Sequence, residues 1–213
     1  MTEKQEIKRR AELERLDAMK QFEREYASHG VICGIDEAGR GPLAGPVVAA
    51  AVILPLDHDF LYLNDSKKVT EKRREVLFDE IREYAIGYGI GMASPEEIDE
   101  INILQADYLA MKRALAQLPV MPDVLLNDAV IIPGVTGEQV SIIKGDAKSV
   151  SIAAASILAK VTRDRIMVSY DDMYPEYGFA KHKGYGTKQH SDAIRAYGPC
   201  PIHRKSFLKN FRE

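Results

Sequence analysis

The segment from Gly34 to Pro46 constrains the fold more than any other part of this sequence. It places two adjacent carboxylates, Asp36 and Glu37, at the end of a short apolar run and directly before a glycine-flanked arginine. Carboxylates side by side repel each other, so a folded chain that brings them close usually needs a cation to relieve the cost. The neighbouring glycines let the backbone approach a ligand closely. The pattern indicates a metal site beside a group that binds a polyanion.

The composition is that of a globular protein with a substantial core. The chain has 213 residues, 46% of them hydrophobic, and this length favours one domain with a small appendage. No apolar run approaches the roughly 18 residues that cross a bilayer, and the N-terminus is too charged for a secretory signal, so we expect a cytoplasmic protein with no membrane contact. Cys33 and Cys200 are far apart and lack metal-ligand spacing, so we expect free thiols.

The net charge of -3 gives no global sign of nucleic-acid binding, but the charges are unevenly distributed. Acidic residues predominate between positions 71 and 107, and basic residues predominate between 175 and 212. Solvated surface is the commonest reason for such an imbalance. The basic segment is also rich in Tyr, His and Gly, which favours contact with phosphates.

The first residues predict an amphipathic helix, because apolar residues recur every three or four positions between 2 and about 27. We therefore treat 1–28 as an N-terminal helical extension and 29–213 as the main domain, with a helical substrate-binding part from about 175 to 213. A helix that docks on the core is the simpler interpretation of the extension. The alternative is an arm that contacts substrate or a partner.

Apolar, β-branched runs and helical patterns alternate after the extension. Predicted strands cover 31–36, 47–54, 85–93, 124–130 and 139–144, and predicted helices cover 70–84, 95–101, 102–118 and 150–174. Thr70 is expected to cap the first of these helices. Strands followed by strands interleaved with helices indicate an α/β fold, with a mixed sheet flanked by helices.

Two further aspartates stand, like Asp36, at the ends of predicted strands. Asp128 closes one apolar run, and Asp146 follows the next. A single such carboxylate is more often a helix cap or a loop hydrogen bond. Strand ends in α/β folds deliver their side chains to one crevice, however, so the agreement of three strand ends favours a shared site for Asp36, Glu37, Asp128 and Asp146. We call these four residues the acidic cluster.

The acidic cluster predicts a hard divalent cation, Mg²⁺ or Mn²⁺, because its ligands are oxygens only. Such a cluster can hold two ions roughly 3.5–4 Å apart, which activate water and stabilise the leaving oxygen of a phosphodiester. Adjacent strand residues point to opposite faces, so Asp36 and Glu37 should reach the same ions only if the chain leaves extended geometry there, and the glycines of 38–42 predict that bend. The sequence contains no nucleophile elbow, Walker loop or zinc-protease motif.

Several separated motifs, in order, resemble the ribonuclease HII family, the type 2 ribonucleases H. The similarity runs from about 31 to 207 and is carried by 34–46, 65–68, 102–106, 144–164 and 182–187. It implies a ribonuclease H-like fold with a helical C-terminal part. It also implies cleavage of the RNA strand of RNA–DNA hybrids and incision 5′ to single ribonucleotides in duplex DNA, leaving 5′-phosphate and 3′-hydroxyl ends, with roles in ribonucleotide and RNA primer removal.

The family's functional residues can be carried over motif by motif. Its four metal ligands fall on the acidic cluster, and its substrate-reading residues fall on Gly39, Arg40, Gly41 and Tyr185. Backbone groups of a tight glycine loop can hydrogen-bond a 2′-hydroxyl, the group that distinguishes RNA from DNA. Tyr185 would pack on the next sugar, where an extra hydroxyl would clash, so the resemblance implies a preference for a ribonucleotide followed by a deoxyribonucleotide.

Other residues of these motifs keep two interpretations. Arg40 either contacts a phosphate or bridges core carboxylates. Lys67 and Lys68 either hold phosphates or form a solvated pair. Asn127 departs from the family, whose members carry an apolar residue before the third aspartate; it should face away from Asp128, and a buried amide there needs partners.

Three alternatives to this function remain open. A ribonuclease HIII-like hybrid nuclease is a sibling possibility, which the loop at 39–41 and the lack of a long N-terminal binding domain argue against. A non-catalytic module that binds hybrids through its basic segment would not need four carboxylates, which weaken phosphate binding unless a metal neutralises them. A strand-transferase on the same fold would not need a ribose reader. We expect a monomer, with a sliding clamp or repair protein as a possible partner.

Overall fold

Five strands form a mixed sheet in the computed structural model, which describes residues 2–209. The strands are β1 (Ile32–Ala38), β2 (Val47–Ile53), β3 (Gly87–Ala93), β4 (Val124–Asp128) and β5 (Glu138–Ile142), in the order β3-β2-β1-β4-β5. β3, β2 and β1 are antiparallel neighbours, and β1, β4 and β5 run parallel. The predicted α/β class and mixed sheet are confirmed.

Helices flank this sheet and make up most of the C-terminal part. They are α1 (Glu3–Met19), α2 (Gln21–Glu25), α3 (Glu71–Tyr84), α4 (Pro95–Leu115), α5 (Val150–Met173), α6 (Phe179–His182) and α7 (Lys188–Tyr197). Within residues 2–209, none of them combines the length and the apolar character that crossing a membrane requires. Both cysteines are free thiols. The end of the predicted basic segment, 210–212, lies outside the described residues.

Glycines in the strands allow two helices to pack closely on opposite faces of the sheet. A Cβ at Gly34 of β1 would lie 2.2 Å from the carbonyl carbon of Ser151 in α5. A Cβ at Gly91 of β3 would lie 2.1 Å from the carbonyl oxygen of Ala110 in α4. Real Cβ atoms do not approach other atoms this closely, so larger residues would push the helices away. One hydrophobic core therefore lies between the sheet and α3 and α5, and a second lies between the sheet and α4.

The N-terminal extension docks on the core, as the simpler interpretation predicts. Leu16 and Met19 are buried in the same core as α3 and α5. Lys20 is also buried, and its Nζ donates 2.7 Å to the carbonyl oxygen of Leu56. The prediction of one continuous helix is wrong, because Lys20 (φ -82°, ψ 5°) ends α1 before α2 begins at Gln21.

One further local prediction is confirmed and another needs correction. The helices predicted at 95–101 and 102–118 are present as two helical segments of α4 that meet at Asn102, whose backbone is non-helical (φ 67°, ψ 164°). The Asn102 side chain accepts hydrogen bonds from the next turn, including one of 3.0 Å from the N–H of Leu104. Thr70 occupies the N-cap position of α3, but its side chain makes no capping hydrogen bond.

Candidate active site

The acidic cluster begins where two central strands separate. The pairing of β1 with β4 ends at Ile35 and Asn127, one residue before Asp36 and Asp128. Residues opposite each other in neighbouring strands lie on the same face, so Asp36 and Asp128 follow the last pair side by side. The predicted position of Asp128 at a strand end is confirmed.

The bend predicted at 38–42 is present, but it follows Asp36 and Glu37 and does not turn their side chains towards each other. β1 stays extended and paired with β2 through Ala38, and the bend begins at Gly39, whose φ is +100°. The two side chains therefore leave β1 on opposite faces. Asp36 is buried on the α5 side, where its carboxylate accepts a hydrogen bond of 2.8 Å from the N–H of Glu37.

Asp146 reaches the site from a short 3₁₀ turn (Gly145–Ala147) and not from a strand end, because β5 already ends at Ile142. The N–H of Gly145 donates 2.7 Å to Oδ1 of Asp128 and ties this turn to β4. The Asp146 carboxyl is buried and lies close enough to Asp65 to be repelled by it. The turn therefore places Asp146 beside Asp128.

Repulsion acts between neighbouring pairs of the four predicted carboxylates, with Asp128 common to three of these pairs. Burial raises the pKa of Asp36 well above its usual range, and repulsion from Glu37 and Asp128 raises it further. Burial also raises the pKa of Glu37, and Asp128 adds to this effect while Arg40 opposes it. The pKa of Asp146 is raised by burial and then by repulsion from Asp65 and Asp128.

The acidic cluster fits a divalent cation in charge and in donor chemistry. Its donors are carboxylate oxygens, which hard cations prefer, and a bound cation would relieve the repulsion that raises the pKa values. As the side chains are placed, however, no group of three or more His, Cys, Asp or Glu residues between positions 2 and 209 is arranged to hold an ion. The carboxylates would have to adjust their side-chain torsions to bind one.

Two acidic residues that the sequence reasoning did not select also lie here. Asp65 stands in the motif 65–68 and contacts Asp146, so its position in that motif was the available signal. Asp107 of α4 has no exposed surface, and neither of its carboxylate oxygens has a hydrogen-bond partner among the described residues. Burial, followed by repulsion from Glu37, raises the pKa of Asp107 to about 8. Nothing in the sequence distinguishes Asp107 from an exposed acid of a helix.

Arg40 lies between two of these carboxylates. Its Nη1 is 3.6 Å from Oε1 of Glu37, and its Nε is 3.5 Å from Oδ2 of Asp107. The Arg40 side chain is 45% exposed, so it bridges core carboxylates and still presents part of its guanidinium to solvent. The two sequence interpretations of Arg40 are therefore compatible.

Both lysines are exposed, and the acidic cluster shifts the pKa of Lys67. Burial lowers the pKa of Lys67, but attraction to Asp65, then to Asp36 and other acids of the cluster, raises it overall. Lys68 is 60% exposed, and its Nζ lies 3.8 Å from Asp65. Lys67 therefore faces the carboxylates, whereas Lys68 is largely solvated.

Asn127 is fully buried and lies on the face of β4 opposite Asp128, as expected. Its Nδ2 donates 3.0 Å to Oε1 of Gln139 on β5. Its Oδ1 has no hydrogen-bond partner among residues 2–209. The register of β4 is regular through Asp128, so the unusual residue does not displace the carboxylate.

Two loops meet beside the acidic cluster. We call residues 39–46 the glycine loop and residues 183–186 the tyrosine loop. The N–H of Leu43 donates 2.8 Å to the carbonyl oxygen of Gly184, and the Tyr185 ring lies 4.0 Å from the position of a Cβ on Gly41. Tyr185 is 44% exposed. The structure thus brings together the glycine–arginine–glycine sequence and the tyrosine that the sequence indicated.

Comparisons with known proteins agree with this architecture. The family model of ribonuclease HII matches residues 33–210. Ribonuclease HII of Lachnoclostridium phytofermentans is 61% identical over 200 residues, covering 94% of this chain and 79% of the relative. Ribonuclease HII of Clostridioides difficile is 60% identical over 203 residues, covering 94% and 80%.

Solved structures give the same answer. Ribonuclease H2 from Pyrococcus horikoshii superposes with a TM-score of 0.68 at 30% identity, covering 82% of this chain and 92% of that one. The ribonuclease HII in the PCNA complex from Archaeoglobus fulgidus superposes with a TM-score of 0.66 at 26% identity, covering 85% and 97%. Fold and site together define an endoribonuclease of the ribonuclease H-like class, which acts on RNA–DNA hybrids. The chain belongs to the ribonuclease HII family.

Proposed function

We propose that this protein incises duplex DNA on the 5′ side of single embedded ribonucleotides, as well as cleaving the RNA strand of RNA–DNA hybrids, and so serves in ribonucleotide and primer removal. The observation that carries the proposal is the packing of Tyr185 against the glycine loop, which directly follows the carboxylates of Asp36 and Glu37. This arrangement joins a phosphodiester-cleaving site to a ribose-reading surface.

The acidic cluster is the proposed site of Mg²⁺ or Mn²⁺. Bound divalent ions supply an activated water and stabilise the leaving oxygen, and carboxylates on separate strands suit two ions. Asp36 and Asp128 would hold them from the separated ends of β1 and β4, Glu37 from the α4 side and Asp146 from its 3₁₀ turn. Lys67 faces this cluster and is a candidate for a phosphate oxygen contact, with Lys68 as a weaker, solvated one.

The substrate-reading side needs only backbone groups and one ring. The N–H groups of Gly39, Arg40 and Gly41 are candidates for the 2′-hydroxyl, because a tight glycine loop allows close approach. The half-exposed Tyr185 ring offers a flat surface to the next sugar. Arg40, held by Glu37 and Asp107, can present its free donors to a phosphate.

The test is cleavage of a DNA duplex that contains one ribonucleotide, beside an all-DNA duplex, with Mg²⁺, with Mn²⁺ and with chelator. We expect metal-dependent incision on the 5′ side of the ribonucleotide and an intact control duplex. Cleavage of long hybrids without incision at a single ribonucleotide would contradict the junction-reading part of the proposal and favour a ribonuclease HIII-like specificity.

A sliding clamp is the candidate partner, because the relative from A. fulgidus forms a complex with PCNA. Sedimentation of the full chain with and without its own organism's clamp would test this and would also establish whether the free protein is a monomer. Unchanged sedimentation in the mixture would remove the clamp from the proposal.

A further inference from the structure

Two arginines are fully buried without a carboxylate partner. Arg163 of α5 is 1% exposed and Arg204 is 0% exposed. Burying a guanidinium costs free energy unless its donors are satisfied. Neither residue forms an ion pair with an acidic side chain in the described part of the chain. Their partners are backbone carbonyl oxygens instead.

Arg204 lies on the buried side of the glycine loop and donates hydrogen bonds to its backbone. Its Nη2 donates 2.5 Å to the carbonyl oxygen of Gly39, its Nη1 donates 2.9 Å to that of Arg40, and its Nε donates 2.9 Å to that of Gly45. Three carbonyl groups of the glycine loop therefore point towards one planar guanidinium group.

Arg163 binds the rest of the glycine loop and joins it to the tyrosine loop. Its Nη2 donates 3.0 Å to the carbonyl oxygen of Ala44, its Nε donates 3.0 Å to that of Pro46, and its Nη1 donates 3.0 Å to that of Lys183. Its guanidinium carbon also lies 6.0 Å from the centre of the Tyr185 ring. One side chain therefore fixes both loops relative to each other.

Two glycines of the loop leave space for the buried side chains of Arg163 and Met167. Gly39 has a φ of +100°, and a Cβ there would lie 2.1 Å from Nε of Arg163. Gly45 has a φ of +85°, and a Cβ there would lie 2.3 Å from the sulfur of Met167 and 3.4 Å from Nη2 of Arg163. Gly39 therefore lets a buried guanidinium group pack against the backbone, in addition to letting a ligand come close to the loop.

The direction of the carbonyl groups determines where the loop's N–H groups point. In a trans peptide the C=O and the following N–H point in opposite directions. Because Arg204 holds the carbonyl oxygens of Gly39 and Arg40, the N–H groups of Arg40 and Gly41 point away from it. Among residues 2–209, neither of these N–H groups has a hydrogen-bond acceptor. They are two of the three N–H groups that the proposed function assigns to the 2′-hydroxyl.

We infer that Arg163 and Arg204 are positioning residues for ribose recognition: they turn the carbonyl groups of the glycine loop inwards and so hold its free N–H groups towards the 2′-hydroxyl. Neither arginine is paired with a carboxylate, so their two positive charges also favour the binding of a phosphate near the glycine loop. This inference rests on the proposed function, because it names the groups that set the same 2′-hydroxyl selectivity.

The test uses lysine variants, which keep the positive charge but lose the several N–H donors of the guanidinium group. Arg204→Lys and Arg163→Lys are made in an Asp146→Asn background, and binding of a one-ribonucleotide duplex and of the identical all-DNA duplex is measured with Mg²⁺. We expect the ratio of the two affinities to fall about 5- to 20-fold in each variant, the effect of losing one or two well-placed hydrogen bonds. All-DNA binding should change less than about twofold. Arg165→Lys, an exposed position on the same helix, is the matched control and should keep the ratio.

The outcomes separate this inference from the proposed function. If the parent protein itself binds both duplexes equally, the proposed 2′-hydroxyl reading fails. If the parent discriminates and folded Arg204→Lys and Arg163→Lys discriminate equally well, the inference is wrong. Circular dichroism and thermal melting report folding, and failure of both variants to fold would overturn the inference in favour of a purely structural role.

Discussion

The two sides of the active site are built in opposite ways. On one side, Asp36 and Asp128 stand at the ends of rigid strands, and their carboxylates repel each other and their neighbours. On the other side, the glycine loop has no regular secondary structure. Two buried arginines nevertheless donate hydrogen bonds to five of its carbonyl oxygens and to that of Lys183. We call the first the chemistry side; its carboxylates stand on regular strands and repel each other. We call the second the recognition side; its backbone is irregular, but its carbonyl oxygens have hydrogen-bond donors within the protein.

The two sides therefore differ in whether the protein itself balances their charges and polar groups. The acidic cluster keeps much of its repulsion, because Arg40 and Lys67 are the cations that offset it in the described protein. The glycine loop needs no ligand to hold its shape. Substitutions on the chemistry side should therefore remove turnover without unfolding the protein, and substitutions on the recognition side should change selectivity.

The largest expected effect belongs to the chemistry side. Asp146→Asn should lower turnover by at least about 10³-fold, equivalent to about 4 kcal/mol, because it removes a charged oxygen from the proposed metal site. Hybrid binding should stay nearly unchanged, and the melting temperature should not fall, since a repelling charge is lost. Single-turnover cleavage, binding and melting measure the three properties. Asp192→Asn, an exposed acid on α7, is the control, and turnover in Asp146→Asn close to that of this control would remove Asp146 from the site.

The second effect is stabilisation of the chemistry side by metal. Binding at about 100 times the dissociation constant stabilises a folded state by about 2.7 kcal/mol, which corresponds to a rise in melting temperature of about 5–10 °C for a chain of this size. Melting curves with Mg²⁺ or Mn²⁺ should show this rise, and KCl at equal ionic strength should not produce it. Asp36→Asn should lose most of the rise; an undiminished rise in that variant would place the ion elsewhere.

The third effect lies on the recognition side. Tyr185→Ala removes the ring that lies against the glycine loop, and it should reduce the preference for a ribonucleotide–deoxyribonucleotide junction about tenfold while changing duplex affinity less. Competition between a junction substrate and a continuous hybrid measures this preference directly. Tyr197→Ala is the control, because Tyr197 is an exposed tyrosine on α7, outside the two loops. A junction preference that survives Tyr185→Ala would assign the role to another residue.

How far the sequence predicts each side follows from the same contrast. Strand ends are visible as apolar runs, so Asp36 and Asp128 could be placed from periodicity alone. Asp107 could not, because its burial depends on the packing of α4 against Glu37 and Arg40, which a local pattern does not contain. Arg163 resembles any charged residue of a long helix, and its role depends on loop carbonyls that are more than 100 positions away in sequence.

The smallest effect concerns pH, and here the two sides have opposite signs. Beneath the tyrosine loop, His190 donates from Nδ1 to the carbonyl oxygen of Tyr185, so its Nε2 must accept, at 3.0 Å, from Nε2–H of His203; Nδ1 of His203 in turn accepts from the N–H of Cys200 at 2.9 Å. A proton added to either ring leaves one of these contacts with two donors. Burial first, then repulsion from His190, lowers the pKa of His203 to about 4.

The sign of the pH effect follows from linkage. The unfolded chain binds a proton at His203 near pH 6.5 and the folded chain only near pH 4, so folding stability is lost as pH falls from about 6.5 towards 4, roughly 2 kcal/mol from His203 by pH 5. The raised pKa values of Asp36 and Asp146 act oppositely, because the folded state then binds more protons than the unfolded state. Urea unfolding at pH 7.5 and 5, without metal, should therefore show a smaller loss of stability at pH 5 in His203→Gln than in the parent, and a larger loss in Asp36→Asn. Equal losses in the parent and His203→Gln would show that the paired histidines are not what makes the recognition side sensitive to acid.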